Sequence, residues 1–364
     1  MGPSQYRILT TLTLLTNILR GILADQVPIQ EPSKEALDIP PIGLGLWNSK
    51  GENVSQFEES QLSRRTTKAK DHGLYQATDA VKYAFDAGYR HLDSAAAYGN
   101  EEFVGDTLAS SNVPPRHKYW VTSKLWNDMH QPKLVGKALN KTLSDLAIPY
   151  LDLYLMHWPV AFLPNTAPGR TIIDQDTSIM DTWRAMEDLV RANLTRYIGV
   201  SNFSPRQLDE VLKDCEICPF AHEFETHPYL QQQQFVDWHA EQGIKVIAYS
   251  PLANMNPTYK NRYPKLDPIL QDPFWTDMAG KKNATPAQAI LAWAMQRGTV
   301  VIPKSIHEKR IVENWGSLKI CFSEDEMLNI TEQDKRSRFN DPSKSWGVEL
   351  FEGLDDGSNR FLWG

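Results

Sequence analysis

The chain has 364 residues, of which 41% are hydrophobic and 10% aromatic, a composition that excludes a disordered or fibrous protein. A net charge of −7 excludes nucleic acid as a partner, because neutralising phosphates takes clustered Lys and Arg. Three cysteines are too few for a disulfide framework in a chain of this length, although Cys215 and Cys218 form a C-x-x-C motif.

The first 37 residues fit either of two descriptions. An apolar run at 8–19 lies between Arg7 and Ala24, in the order of a secretory signal peptide, but Asn17 and Arg20 weaken it. The run is too short to span a membrane. N-glycosylation sequons favour the secretory pathway and occur at Asn53, Asn140, Asn193, Asn202, Asn283 and Asn329. The alternative is a disordered start on a cytosolic protein.

Eight short β-type runs follow. In chain order they are IGLGLW (42–47), YRHLDSA (89–95), YWVTSKLW (119–126), LDLYLMHW (151–158), RYIGVSNF (196–203), PFAHEFE (219–225), KVIAYSPL (245–252) and TVVIPKS (299–305). Each is almost continuously apolar before it becomes polar, which is typical of parallel strands buried on both faces.

The segments between these runs have helical patterns. Val81, Ala84 and Phe85 repeat at helical spacing before Gly88, and the segment 285–298 begins with a Thr-Pro cap and ends in Gly. Regular strand–helix alternation without a linker predicts an α/β fold, a single-domain (β/α)8 TIM barrel over residues 38–364. A doubly wound sheet is the alternative, but no G-x-G-x-x-G follows the first strand.

Two segments within 38–364 depart from this plan. The charge-rich stretch 50–73 predicts a mobile insertion after the first strand. A turn-rich C-terminal loop begins at Phe339. It contains aromatic residues that either pack on the barrel exterior or cover a pocket: Trp346, Phe351, Phe361 and Trp363.

Polar residues at the strand ends are the candidates for function, since the active site of such a barrel lies at that edge. Asp93 lies in the second run and Tyr98 follows it, Lys124 lies in the third and His157 in the fourth. Each alone has a structural explanation: an Asp–Lys ion pair, a core histidine or a packing tyrosine. As a set, they indicate acid–base chemistry.

The chemistry that this set suits is the protonation of a carbonyl oxygen. A buried Lys124 would stabilise the phenolate of Tyr98 and make the tyrosine a usable general acid, while Asp93 would keep the lysine charged. His157 can hydrogen-bond the carbonyl oxygen. None of these side chains is an obvious nucleophile, which indicates a cofactor that delivers hydride.

Other motifs are weaker. The sequence HEFETH (222–227) is not a zinc H-E-x-x-H motif, because its histidines are five residues apart at a strand end. A zinc site of Cys215, Cys218, His222 and His227 is disfavoured, since Cys218 fits an ordinary buried thiol. We therefore expect no metal. The sequence GVSNF lacks the closing Gly of a nucleophile elbow.

Six sequence motifs, which include the candidate residues at the strand ends, resemble those of the aldo-keto reductase family. GYRHLDSAAAYGNEEFVG (88–105) matches the first family motif, and VTSKLW, LYLMHWP, IGVSNF, AYSPL and IPKS…R…EN follow in the family's order. The resemblance covers the chain from about residue 40 to the C-terminus. It implies a cytoplasmic enzyme that is a monomer or weak dimer. Its expected activity is that of an NADP-dependent alcohol dehydrogenase that reduces an aldehyde or ketone.

The resemblance also implies residue roles. Asp93, Tyr98, Lys124 and His157 correspond to the catalytic tetrad, with Tyr98 as proton donor. The cofactor positions are Ser201 and Asn202 for the carboxamide, Tyr249 for the nicotinamide ring, Ser250 and Leu252 for the pyrophosphate, Lys304, Ser305 and Arg310 for the 2′-phosphate, and Glu313 and Asn314 for adenine. Trp47, Trp126 and Trp158 correspond to substrate-pocket walls. Two cations at one phosphate favour NADPH, with NADH as the alternative.

Three departures from the family pattern bear on function. Glu223 stands where the family usually has Gln against the carboxamide, and a carboxyl group donates a hydrogen bond only when protonated. His307 replaces a small polar residue near the 2′-phosphate and would add a pH-dependent contact. The insertion at 50–73 borders the site and affects substrate access. An alternative function is a cofactor-binding regulatory subunit without significant turnover.

Overall fold

The structure, a computed structural model, describes residues 38–47, 67–167, 170–259, 263 and 265–354. The chain from Ile39 onward forms one compact unit. Residues 1–37, with the segment predicted to be a signal peptide or disordered, lie outside the described residues. No helix among the described residues is long and apolar enough to cross a membrane.

The strands form one parallel sheet of eight, paired in chain order. They are β1 (Leu44–Gly45), β2 (His91–Asp93), β3 (Trp120–Leu125), β4 (Leu151–Met156), β5 (Thr195–Ser201), β6 (Ala221–Glu225), β7 (Lys245–Tyr249) and β8 (Thr299–Val301). Parallel bridges join Ile42 to Val301 and Gly45 to Lys304, so the last strand meets the first. The predicted (β/α)8 barrel is confirmed: seven strands lie inside the predicted runs, and β5 begins one residue before its run.

Helices connect the strands. They are α1 (Thr67–Ala87), α2 (Glu101–Leu108), α3 (Pro132–Asp145), α4 (Ile179–Arg191), α5 (Pro205–Asp214), α6 (Gln233–Glu241), α7 (Pro273–Lys281), α8 (Pro286–Gln296), α9 (Glu308–Trp315), α10 (Glu324–Thr331) and α11 (Ser343–Trp346). Helix α1 begins within the predicted insertion, so its residues from Thr67 are helical, and residues 50–66 lie outside the described residues.

Local sequence explains where these helices begin and end. Thr285 caps α8 through a capping box with Gln288, and Pro286 occupies the first turn, as predicted. Gly88 ends α1 with φ of 112°, a conformation that favours glycine. A Cβ there would lie 2.8 Å from the ring of Trp315, so close packing also requires glycine.

The barrel wall is buried on both faces. Every residue of β3 and β4 is buried, as their continuous apolar pattern predicts. Large side chains fill the space between strands and helices, among them Trp120, Trp183, Trp275 and Trp293. Burial of this kind holds the strand ends rigidly, and the candidate site is built on those ends.

Candidate active site

Lys124 lies at the centre of the polar groups at the strand ends. Its Nζ atom donates to Asp93 Oδ1 at 2.6 Å, to the backbone oxygen of Ser94 at 3.0 Å and to the Tyr98 hydroxyl at 3.3 Å. Asp93 ends β2 and Lys124 lies near the end of the adjacent β3, so parallel pairing brings the two together. A single 3₁₀ turn, Ala96–Tyr98, then returns the tyrosine to the lysine.

The charges in this cluster are strongly coupled. Burial lowers the pKa of Lys124, but Asp93 and Glu223 outweigh it and hold the pKa above its ordinary value, so the lysine stays charged. Burial raises the pKa of Tyr98, and the opposing effect of Lys124 is smaller. Tyr98 is therefore protonated at neutral pH, which is the state that a proton donor needs.

His157 lies beside this cluster. Its ring is 5.9 Å from the Tyr98 ring and 5.2 Å from the Trp126 ring, both edge-on. Burial and then the charge of Lys124 hold the pKa of His157 well below its usual range, so the ring is neutral. Its Nδ1 atom is buried without a hydrogen-bond partner in the described part of the chain. A neutral imidazole here can hydrogen-bond a ligand oxygen.

Glu223 joins the same cluster from β6. Its Oε1 atom lies 3.3 Å from Lys124 Nζ, and its side chain is 2% exposed. Burial, followed by the charge of Asp93, raises the pKa of Glu223 well above its usual range. The sequence analysis predicted that Glu223 lies against the cofactor carboxamide. It did not predict the direct contact of Glu223 with Lys124.

The residues expected at the nicotinamide lie beside His157. The Asn202 amide donates to the backbone oxygen of His157 and to Ser201 Oγ, both at 3.0 Å. The Tyr249 hydroxyl donates to Asn202 Oδ1 at 2.7 Å. Asn202 has a positive φ of 61°, which Asn tolerates better than most residues. These bonds connect β4, β5 and β7 across the mouth of the barrel.

The residues expected at the phosphates follow β7 and β8. Ser250 Oγ lies 3.3 Å from the Tyr259 hydroxyl, and Leu252 follows in the same turn. Ser305 Oγ accepts from the backbone N–H of His307 at 3.1 Å, just before α9. Other residues of this group differ in exposure: Lys304, His307 and Arg310 are exposed, Glu313 is half-buried and Asn314 is buried.

Two of the three predicted pocket tryptophans contact the C-terminal loop. Trp346 packs edge-on against Trp158, with ring centroids 5.0 Å apart, and against Trp126 at 6.4 Å. Phe351 also packs on Trp158. Trp47 instead stacks on Tyr259, 6.4 Å away. The described part of the loop therefore covers the tryptophans beside His157, and Phe361 and Trp363 lie outside the described residues.

A buried carboxylate anchors this loop. Glu225 accepts hydrogen bonds from the backbone N–H groups of Phe339 at 2.7 Å and Asn340 at 2.8 Å, and from His227 Nε2 at 2.9 Å. The Asn340 amide in turn donates to the Tyr249 hydroxyl at 3.2 Å. The sequence analysis missed this role of Glu225, although strand periodicity places it on the same face as Glu223.

One interpretation of the motif region was wrong. Cys218 is exposed, and it forms a disulfide with Cys215 instead of being a buried thiol. The reason is that β6 begins only at Ala221, so both cysteines lie in the loop before it. His222 is a satisfied core residue: its Nε2 accepts from the Phe203 N–H, and its Nδ1 lies 2.9 Å from His239 Nε2.

Known proteins share both the sequence and the fold. The Aldo/keto reductase family profile matches residues 41–335. An uncharacterized oxidoreductase of Schizosaccharomyces pombe is 40% identical over 88% of this chain and 92% of its own. Aldo-keto reductase family 1 member A1 of Sus scrofa is 40% identical over 83% of this chain and 88% of its own.

Among solved structures, the aldose reductase of Schistosoma japonicum superposes with a TM-score of 0.72 at 32% identity, covering 88% of this chain and 96% of its own. The aldose reductase of Giardia lamblia gives 0.71 at 32% identity, covering 86% and 99%. Eight parallel strands, a lysine-centred cluster at their ends and these similarities lead to one conclusion. The chain belongs to the aldo/keto reductase family of oxidoreductases, whose members use nicotinamide cofactors.

Proposed function

We propose that this protein reduces an aldehyde or ketone to an alcohol with NADPH, and that Tyr98 is the general acid. The observation that carries the proposal is the position of Lys124 Nζ, 2.6 Å from Asp93 Oδ1 and 3.3 Å from the Tyr98 hydroxyl. A charged lysine at this position stabilises the phenolate that remains after Tyr98 gives up its proton.

Each side chain of the Lys124 cluster has a separate role in the proposed reaction. His157 and the Tyr98 hydroxyl hydrogen-bond the carbonyl oxygen and polarise the bond. A bound nicotinamide cofactor in its reduced form would supply the hydride, because no side chain of the cluster can do so. Tyr98 transfers its proton to the oxygen as the carbon becomes tetrahedral, Lys124 stabilises the phenolate, and water later returns the proton. Asp93 keeps Lys124 charged and in place.

The residues present fit a phosphorylated dinucleotide. The exposed cations Lys304 and Arg310, with His307 between them in sequence, lie where β8 leads into α9. Cationic donors next to a helix start suit a phosphate group. At the other end, Ser201, Asn202 and Tyr249 border the mouth that His157 and Tyr98 occupy. This donor set supports NADPH rather than NADH.

Turnover distinguishes this proposal from a regulatory subunit that binds cofactor without reacting. NADPH binding is measured by fluorescence quenching, and NADPH oxidation is then followed with aldehydes, ketones, aldoses and steroids. We expect both binding and turnover, with aromatic or aliphatic carbonyls preferred because Trp126 and Trp158 wall the site. NADPH binding without turnover of any carbonyl in the panel would contradict the proposed enzymatic function and would favour the regulatory subunit.

Cellular location needs its own experiment. The family resemblance favours the cytoplasm, whereas the Cys215–Cys218 disulfide favours an oxidising compartment. Four sequons lie on the described surface, at Asn140, Asn193, Asn283 and Asn329, while Asn202 is buried in the site. N-glycosidase treatment of the protein from its own cells tests this: a loss of mass means passage through the secretory pathway, and an unchanged mass means that none of the sequons carries a glycan. Sedimentation separates a monomer from a weak dimer.

A further inference from the structure

Glu223 creates a shortage of hydrogen-bond donors in the Lys124 cluster. An ammonium group donates three hydrogen bonds, but four oxygens lie within 3.3 Å of Lys124 Nζ. They belong to Asp93, Ser94, Tyr98 and Glu223. Asp93 is 1% exposed and Glu223 2%, so water does not make up the difference. Two carboxylates and one ammonium would also leave a net negative charge in the barrel interior.

Two buried oxygens show where a proton is missing. Asp93 Oδ2 and Glu223 Oε2 each lack a donor in the described part of the chain, although both carboxyl groups contact Lys124 Nζ, at 2.6 and 3.3 Å, and interact with each other. Two carboxylates cannot hydrogen-bond, because neither has a proton to donate. One proton between the two groups satisfies both oxygens and reduces the charge of the cluster to zero.

In the described part of the chain, the strands next to β6 place no charged side chain in register with Glu223. The strands on either side of β6 place Ser201 of β5 and Ile247 of β7 in register with it, and neither side chain is ionisable in water. The titratable groups that face it are Asp93 from β2, Tyr98 from the following turn and Lys124 from β3. Among the described residues, the protonation state of Glu223 is therefore set by its burial and by this cluster.

We propose that Asp93 and Glu223 share one proton, and that neutral Glu223 is a positioning residue that donates to Asp93 while accepting from Lys124. In this state Glu223 can make the hydrogen bonds of a glutamine. The high pKa that burial and Asp93 give to Glu223 agrees with this arrangement. The inference rests on the proposed function where it concerns turnover, but the shared proton itself does not depend on it.

The shared proton links turnover to pH. When it is lost to water at alkaline pH, the cluster gains a negative charge 3.3 Å from Lys124 Nζ. That charge competes with Tyr98 for the ammonium and raises the pKa of the tyrosine, making it a weaker acid. Loss of the shared proton should thus set the alkaline limb of kcat for reduction. A glutamine at position 223 has no proton to lose.

The test compares Glu223→Gln with Glu223→Leu in NADPH-dependent reduction from neutral to alkaline pH. We expect Glu223→Gln to retain most of kcat at neutral pH and to move the alkaline limb upward by at least about one pH unit. Glu223→Leu leaves Asp93 Oδ2 without a donor and should lower kcat about tenfold or more at every pH. Equal losses in both variants, or an unmoved limb in Glu223→Gln, would overturn the positioning role.

Infrared spectroscopy tests the proton without substrate or cofactor. The protein should show the carbonyl stretch of a protonated, buried carboxylic acid at neutral pH, and Glu223→Gln should lose the component of this absorption that does not come from Glu101. Glu101 is the matched control, because burial raises its pKa to about 7 while Ser123 and Thr142 donate to it. Glu101→Gln should keep the Glu223 band. Absence of that band in the unchanged protein disproves proton sharing, whether or not any carbonyl is turned over.

Discussion

Glu223 and Glu225 lie two residues apart on β6, on the same face, and both are buried, yet their surroundings shift their pKa values in opposite directions. Glu225 accepts hydrogen bonds from His227 and from the backbone N–H groups of Phe339 and Asn340. Burial raises the pKa of Glu225, but these donors and the charge of Arg338 outweigh it and hold the pKa below its usual value. Glu223, by contrast, contacts the Lys124 ammonium group, which also donates to other acceptors.

If Glu223 holds the shared proton as proposed, the supply of donors and neighbouring charges, and not burial, distinguishes an ionised anchor from a protonated group. A fully partnered carboxylate is a structural feature, and here it holds a loop against the barrel. A buried carboxyl short of donors has to bind a proton or a ligand, and such groups mark functional sites. Changing one residue of each cluster tests this distinction.

The largest expected effect follows from Tyr98→Phe, which removes the proposed proton donor from the Lys124 cluster. Turnover of carbonyl substrates should fall about 10²- to 10⁴-fold, while NADPH affinity is retained, because the hydroxyl acts on substrate. Steady-state kinetics and fluorescence titration measure the two quantities. Tyr154→Phe is the matched control, since the Tyr154 hydroxyl is buried without a partner among the described residues and lies outside the cluster. Loss of NADPH binding in Tyr98→Phe would contradict this role, because it would mean that the Tyr98 hydroxyl is needed to bind the cofactor.

The next effect compares the two glutamates directly. Glu225→Gln replaces an acceptor of three hydrogen bonds with an amide and should lower the free energy of unfolding by about 1.5–3 kcal/mol. Glu223→Gln should change it by less than about 0.5 kcal/mol, since the amide replaces a neutral acid. Urea unfolding near neutral pH measures both. Equal losses would mean that Glu223 is ionised as well.

Acid pH sharpens the same comparison. A folded pKa below that of the unfolded chain means that Glu225 stabilises the fold above a pH of about 4.5 and that this contribution disappears as the pH falls through the folded pKa. In Glu225→Gln this part of the acid destabilisation should be missing. A variant that loses stability with acid just as the unchanged protein does would contradict an ionised Glu225.

Sequence alone predicted the barrel and the Lys124 cluster, because strand periodicity and polar strand ends are local features. It did not predict the anchoring of the loop, since Glu225 and Phe339 are 114 residues apart. The charge of Glu223 also escaped prediction, because it depends on how many donors the folded chain brings to one place. Cys218 was misinterpreted because the start of a strand is poorly defined by its apolar residues alone.

A smaller effect concerns the other face of β6. His222 and His239 are both neutral in a bonded pair, and burial lowers the pKa of His239 to about 4 and that of His222 well below its usual value. The unfolded chain therefore binds protons first as the pH falls below about 6.5, and stability should fall by about 1.4 kcal/mol per pH unit for each histidine.

His239→Gln tests this, because glutamine can accept from His222 Nδ1 but does not titrate. Urea unfolding between about pH 7 and pH 5 should show a slope smaller by about 1.4 kcal/mol per pH unit. His117→Gln, at an exposed histidine, should leave the slope as it is. An unchanged slope in His239→Gln would mean that the pair is already charged in the folded protein.

The smallest effect lies in the loop that Glu225 anchors. Trp346 covers Trp126 and Trp158 beside His157, but it touches none of the four catalytic candidates in the contacts described. Trp346→Ala should therefore raise KM for carbonyl substrates about fivefold, or about 1 kcal/mol, with kcat nearly unchanged, because it removes a pocket wall and no chemistry. Trp238→Ala, in α6 and away from the loop, should change stability but not KM. A fall in kcat with KM unchanged would instead show that the loop holds Tyr249 through Asn340, and that Glu225 serves the chemistry as directly as Glu223 does.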